Sequence, residues 1–387
     1  MQTRKPGLRE AAERLPYRER GFTQGGARQS AFMLTRKSSY ILTLMAALTQ
    51  ISPVQADVPT NLKPPVEDGI WIRPAAEGPA EPIIGFKDGI RIALWPTRGP
   101  RGVVRVHAQH VFPGKKYPTV NFIAIEPVVA GQRGLSELEF SKPDDRRGLR
   151  MWLSDKPDGP DALPWNPSRG RLGRIRVGGK SVQTLSVVLN VEKLDNGAHP
   201  SILITFRADR PNEVGFKVHA AKDSAPMESC VLTATMGNYS RTRLLWLKDE
   251  VIDSRKLWPD FEGDGFCEAR DFPAGRFRRE KDGTLTVAIS PSESDLSAAD
   301  MSPGGWTFAG KVATQYWRKY PGTAKPDLRV RVNGRAMYWR TQAEIPGGVS
   351  YENFELIEKF EPGTELWFGV TLETPREMGW PKGMGDG

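Results

Sequence analysis

The stretch 173–209, GRIRVGGKSVQTLSVVLNVEKLDNGAHPSILITFRAD, decides the fold class. Gly178-Gly179 and Asn196-Gly197 are dipeptides that tolerate positive φ, and each stands between runs rich in Val, Ile, Leu and Thr. Two-residue turns of that kind between strand-like segments are the strongest local signal for antiparallel hairpins. The same grammar recurs outward from this point. Asp88-Gly89 separates IIGFK from IRIALW, Asp282-Gly283 precedes TLTVAIS, and Asn333-Gly334 lies between LRVRV and RAMYWRT. Further runs, RGVVRVHA, TVNFIAIEPVV, ESCVLTATM and ELWFGVTLE, carry the β-branched and aromatic residues that suit a pleated, half-buried surface.

Alternation assigns faces. In 215–220 Phe216 and Val218 share one side and Lys217 and His219 the other, and Arg329 and Arg331 alternate with Leu328, Val330 and Val332. Strands with one apolar and one wet side pack in pairs of sheets, so the expected fold is an all-β, antiparallel β-sandwich. FIAIEPVV, apolar on both sides, is expected at the centre of a sheet. The segment Thr242–Leu257 fits helix and strand spacing alike. The polar stretch 290–305 reads as a linker between a large sandwich at 66–290 and a smaller β unit at 305–373, with one continuous double sandwich as the alternative. The tail 374–387 reads as disordered.

The N-terminal region has a different character. From Met33 a short basic segment, MLTRKSSY, is followed by the apolar ILTLMAALTQI and by SPVQA, the order of a secretory signal over 33–56 with cleavage before Asp57. The apolar stretch is too short for a spanning helix, which needs about 20 residues. Residues 1–32 are basic and without apolar periodicity, and are read either as a long leader or as an extension upstream of the true start. A secreted or periplasmic chain with no integral membrane span is the result.

Export changes the charge argument. Of 55 Lys/Arg and 46 Asp/Glu, residues 1–56 hold nine and three, which leaves 46 against 43 in the remainder, or +3. That interspersed balance lacks the concentrated basic face of a nucleic-acid binder. It also places Cys230 and Cys267 where no thiol buffer keeps them apart, so they either pair or stay as separate thiols.

Several constellations are candidates for chemistry. Tyr-Trp-Arg occurs at 316–318 and 338–340; Trp317 and Trp339 suit sugar stacking, and Arg318 and Arg340 suit carboxylate or sulfate, although a regular strand points Trp and Arg to opposite faces. If the two tryptophans instead fill the core, only Tyr and Arg remain outside. Asp260, Glu262, Asp264, Phe266 (through its carbonyl) and Asp271 occupy calcium-loop spacing with Gly265 at the turn, whereas Glu at position 3 and Asp at position 12 depart from the pattern. Glu126, at the end of an apolar strand, is a desolvated acid, and His107 on a neighbouring strand is its possible base partner for opening a glycosidic bond. Asn238, Tyr239 and Arg241 follow a strand end and suit neutralising and deprotonating a uronate, as a lyase requires. Glu352 and Glu355 are further carboxylates of the C-terminal part. These features lead to an exported sandwich that binds a polysaccharide and, as glycoside hydrolase or polysaccharide lyase, cleaves it. A non-catalytic structural or adhesion module of the cell envelope is the alternative.

Overall fold

A computed structural model describes residues 58–108, 119–157, 162–236, 241–292, 301–302, 306–307, 313–337, 344–345 and 347–381. The signal-like region therefore lies outside the described residues. The strands β1 (Val66–Asp68), β2 (Trp71–Arg73), β3 (Ile83–Phe86), β4 (Arg91–Ala93), β5 (Val103–His107) and β6 (Thr119–Val129) form an antiparallel meander, and β7 (Gln132–Arg133) folds back on the end of β6. A second sheet starts with β8 (Met151–Ser154), β9 (Arg171–Val177), β10 (Lys180–Val191), β11 (Pro200–Arg207) and β12 (Glu213–Ala220). The chain then crosses repeatedly. β13 (Ser229–Met236) joins the first sheet, β14 (Leu244–Trp246) and β15 (Val251–Asp253) the second, and, after the short helix α1 (Ser254–Leu257), β16 (Arg270–Pro273) the first. β17 (Arg278–Arg279) and β18 (Leu285–Ser290) extend the second sheet, while β19 (Met301–Ser302) and β20 (Trp306–Thr307) pair, among the described residues, with each other alone. β21 (Thr314–Lys319) returns to the second sheet, β22 (Arg329–Arg335) and β23 (Ser350–Ile357) to the first, and β24 (Thr364–Thr371) to the second.

The result is an all-β fold of two large antiparallel sheets, with orders β1-β2-β3-β4-β5-β6-β13-β23-β22-β16 and β15-β14-β18-β21-β24-β12-β11-β10-β8. The expected division at 290–305 does not separate two units. β21 and β24 sit between β18 and β12, and β22 and β23 between β13 and β16, so residues 305–373 complete both sheets and share their core. Ile123, Leu232 and Phe354 of the first sheet and Phe216, Trp317 and Phe368 of the second are fully buried in that core. Each such side chain contributes about 1.5–3 kcal/mol on burial. Trp317 ties the layers together, its Nε1 donating to the Phe354 carbonyl at 2.8 Å.

The turn reading holds at Gly178-Gly179, both at positive φ between β9 and β10, and at Gly283 before β18. It fails at Asn333-Gly334. β22 runs through both residues with a register shift between Val332 and Gly334, so the dipeptide makes a bulge rather than a hairpin. A Cβ at Gly334 would stand 2.8 Å from the Ser350 carbonyl oxygen, and that close approach is what the glycine serves. Thr242–Leu257 divides into β14, β15 and α1. The tail reading is corrected over 374–381. Trp380 is 2% exposed, its Nε1 donates to the Leu247 carbonyl at 2.8 Å, and Arg278 covers its ring, so one aromatic anchors a segment whose polar composition suggested disorder. Among the described residues no helix is long and apolar enough to cross a membrane.

Candidate functional site

The outer face of the first sheet carries a row of polar side chains because its strands put their apolar partners inward. With Leu232, Ala234, Val330, Val332, Phe354 and Leu356 in the core, period 2 sends Thr233, Arg329, Arg331 and Glu355 outward. Register then aligns them: Asp271 faces Arg331 and Arg331 faces Glu355. Arg331 binds Asp271 through Nε at 2.7 Å and Nη2 at 2.8 Å, and Arg329 Nε reaches the same carboxylate at 3.0 Å. These arginines hold Asp271 below the usual carboxylate range, Arg331 contributing most.

At the other end of the row the hairpin from β6 to β7 folds Arg133 over the sheet. Its Nη2 donates to Glu355 Oε1 at 2.8 Å and to Thr233 Oγ1 at 2.9 Å, and it pairs with Glu126. Thr233 Oγ1 donates in turn to Glu355 at 3.1 Å. One guanidinium thus serves two carboxyl groups, with Glu137 close by. Burial pushes Glu126 up to about 8; the Arg133 charge opposes the rise, and the carboxyl groups of Glu137 and Glu355 add to it. Burial likewise raises Glu137. Glu126 is 4% exposed and Glu355 2%, so this acid-bearing cluster lies sealed beneath Arg133.

Beside it opens a cleft of about 570 Å³. Val128, Val231 and Ile357 give it an apolar part, and Arg133, Arg329, Arg331 and Lys359 bring positive charge to its walls. The three arginine side chains keep 30%, 33% and 34% exposure. The acids along the cleft are engaged locally: Glu228 accepts the Gly131 N–H at 3.0 Å, Asp327 the Lys359 N–H at 2.9 Å, and Glu358 pairs with Lys319. Guanidinium groups at such a surface retain donors for a carboxylate or sulfate.

The second sheet has its own polar outer cluster. Glu213 on β12 accepts from Tyr316 Oη at 3.1 Å, Tyr320 Oη at 3.3 Å and Arg210 Nη1 at 3.4 Å, and pairs with Arg318. The Tyr316 ring reaches Glu213 by lying across Gly369, where an added Cβ would be 2.0 Å from the ring. A pocket of about 330 Å³ adjoins this cluster, its lining almost wholly polar and already cross-bonded.

The sequence candidates disperse. His107 faces Thr119, seven positions along β6 from Glu126, or roughly 20 Å, so the pair cannot share a proton. Trp317 is wholly buried and offers no stacking face, while Tyr316 and Arg318 lie outside it as alternation requires. Of the nine tryptophans whose side chains are described, eight are buried and Trp95 is half-buried, which removes them as exposed sugar platforms. Arg241 is 4% exposed and equally withdrawn from solvent. Asn238, Tyr239, Trp339 and Arg340 lie outside the described residues.

The residues of the calcium-loop spacing are divided between β16 and the exposed loop before it. Asp271 is spent on Arg329 and Arg331 within β16, Asp260, Glu262, Asp264 and Phe266 are exposed, and among the described residues no three His, Cys, Asp or Glu side chains converge as ligands. The cysteines are unbonded and buried. Cys230 is on β13, whereas the Cys267 N–H donates to Gly334 on the far side of β22, three strand positions away or roughly 14 Å. A disulfide needs Cα atoms about 4.4–6.8 Å apart. Burial pushes the Cys230 thiol up to about 12 and the Cys267 thiol up to about 11, so both are inert.

Sequence reasoning singled out Glu126 and Glu355 but missed Arg133, which joins them. Nothing in the dipeptide Gln132-Arg133 marks it; only the fold-back of β7 does. Arg329 and Arg331 were visible as an alternating pair without a purpose. No known protein-family profile matches the chain, and no curated protein matches it either.

Proposed function

We propose that this protein is exported to a secreted or periplasmic location and binds an anionic glycan, through uronate or sulfate groups, in the cleft on the outer face of the first sheet. The observation that carries the reading is the grouping of Arg133, Arg329 and Arg331 around a partly apolar cleft. Guanidinium groups match the bidentate geometry of carboxylate and sulfate, and the patch formed by Val128, Val231 and Ile357 suits the C–H face of a sugar ring. The proposal is for binding. No bond-breaking step is assigned, because Glu126 and Glu355 direct their carboxyl groups at Arg133 below the cleft.

Isothermal titration of the mature chain with oligogalacturonate, a sulfated oligosaccharide and a neutral oligoglucan tests this. An acidic oligosaccharide should bind with an affinity that falls as salt rises, and R329A/R331A should weaken it at least tenfold, since two guanidinium contacts are lost. Equal response to neutral and acidic sugars, or an unaffected double variant, would sink the reading.

A further inference from the structure

β9 stands apart from every other strand. β10 pairs with β11 from Thr184 onward, with one further bond from the Ala208 N–H to the Gln183 carbonyl, and with β8 only from Val188, so the tip of the hairpin, from Ile175 through Val182, extends past both neighbours. Arg171 to Arg176 are all exposed and Val177 half so. On its other side β9 pairs with no strand among the described residues, leaving a row of main-chain N–H and C=O groups open.

The charge of this arm is as unusual as its position. Arg171, Arg174, Arg176 and Lys180 fall within ten residues, and 162–191 contains no Asp or Glu. The rest of the surface is laced with ion pairs, yet none of these four cations has a carboxylate partner among the described residues; Arg174 donates to Ser181 Oγ at 3.4 Å. Edge strands are commonly protected by charge, and cations alone would be that device. Protection does not explain Leu172 at 50% and Ile175 at 40% exposure, two of nine exposed large hydrophobic residues described, on one seven-residue strand.

We infer that β9 is a docking edge for an extended acidic peptide segment of a partner protein, added to the second sheet as its next strand. An extended peptide is the ligand that satisfies bare main-chain donors and acceptors. Arg174 and Arg176 are two apart on one face, roughly 7 Å, the spacing of carboxylates at alternate positions of a facing strand. Ile175, on the opposite face, takes up its apolar residues, while Leu172 continues the row of the two arginines. A second copy of this chain is disfavoured because two β9 edges would set arginine against arginine. Nucleic acid, glycan and lipid could meet the charges but leave the edge unpaired.

The test uses the mature chain and a fluorescein-labelled decapeptide of alternating Glu and Val/Thr. Anisotropy should show saturable binding that weakens with salt, and amide hydrogen exchange over 171–177 should slow at saturation. R174E/R176E should weaken binding at least tenfold, with R174Q/R176Q as the milder form if the melting midpoint moves; R329A/R331A, which tests the cleft, should leave it unchanged. Binding without slowed exchange in β9, equal binding of a Lys/Val peptide, or tighter binding of a heparin fragment that leaves β9 exchange unaltered would overturn the inference.

Discussion

The outer faces of the two sheets solve opposite charge problems. On the second, a single buried carboxyl group, Glu213, meets two tyrosine hydroxyls and two arginines. On the first, a single guanidinium, Arg133, meets two buried carboxyl groups with a third close by. Surplus donors leave nothing for a ligand or a proton to do, so the Glu213 cluster is a structural knot fastening β12, β21 and the turn before β12. Surplus acid has a different outcome. The charge that Arg133 cannot neutralise is avoided by keeping Glu126 protonated, while on the solvent side the arginines still have donors to offer. Burial is equal in the two places; stoichiometry decides which one retains capacity for binding.

The largest break in this comparison should come from E213A. It leaves Arg318 and two tyrosine hydroxyls facing an empty position, and urea unfolding should show a loss of about 3 kcal/mol, the low end for breaking a buried pair because Arg318 keeps Glu280 at 3.1 Å. An effect below 1 kcal/mol would mean that the knot is not structural.

A second experiment sharpens the other side. Glu126 holds its proton to about pH 8 when folded, against an ordinary carboxyl value of 4.5. Between those limits the native state binds more protons than the unfolded one, so this group's contribution is fully present below about 4.5 and is lost as pH rises through 8. The urea midpoint should therefore fall from pH 5 to pH 8, and E126Q should flatten that slope. A slope unchanged in the variant would place the surplus charge elsewhere.

The smallest effect is steric. G369A should drive the Tyr316 ring off its strand and away from Glu213, costing about 1–3 kcal/mol, the range for overpacking. In a Y316A background the same substitution should cost little, and equal costs in both backgrounds would disprove the coupling.

Much of the architecture was legible because local chemistry and tertiary structure agree there. Gly178-Gly179 turned as such a dipeptide must, and Arg329 and Arg331 alternate with core valines as period 2 demands. Even the doubt about Tyr-Trp-Arg was resolved the way strand geometry required, with Trp317 inside and Arg318 outside. The readings that failed are those in which a short pattern stood for a meeting of distant parts. Asn333-Gly334 has hairpin composition, but pairing of β22 with β23 on one side and β16 on the other makes it a bulge. In the calcium spacing the twelfth position, Asp271, belongs to a strand facing arginines.

By itself, then, the order of residues determined the antiparallel all-β class, many of the strands, and the side of each strand that faces the core, because turn residues and two-residue alternation act over a few positions. Only the tertiary structure decided that residues 305–373 complete the same two sheets, that Cys230 and Cys267 stay apart, that Arg133 joins Glu126 to Glu355, and that β9 keeps an open edge. Those are questions of which strands become neighbours and in what register, and they are settled by how the apolar faces of the whole chain are buried together.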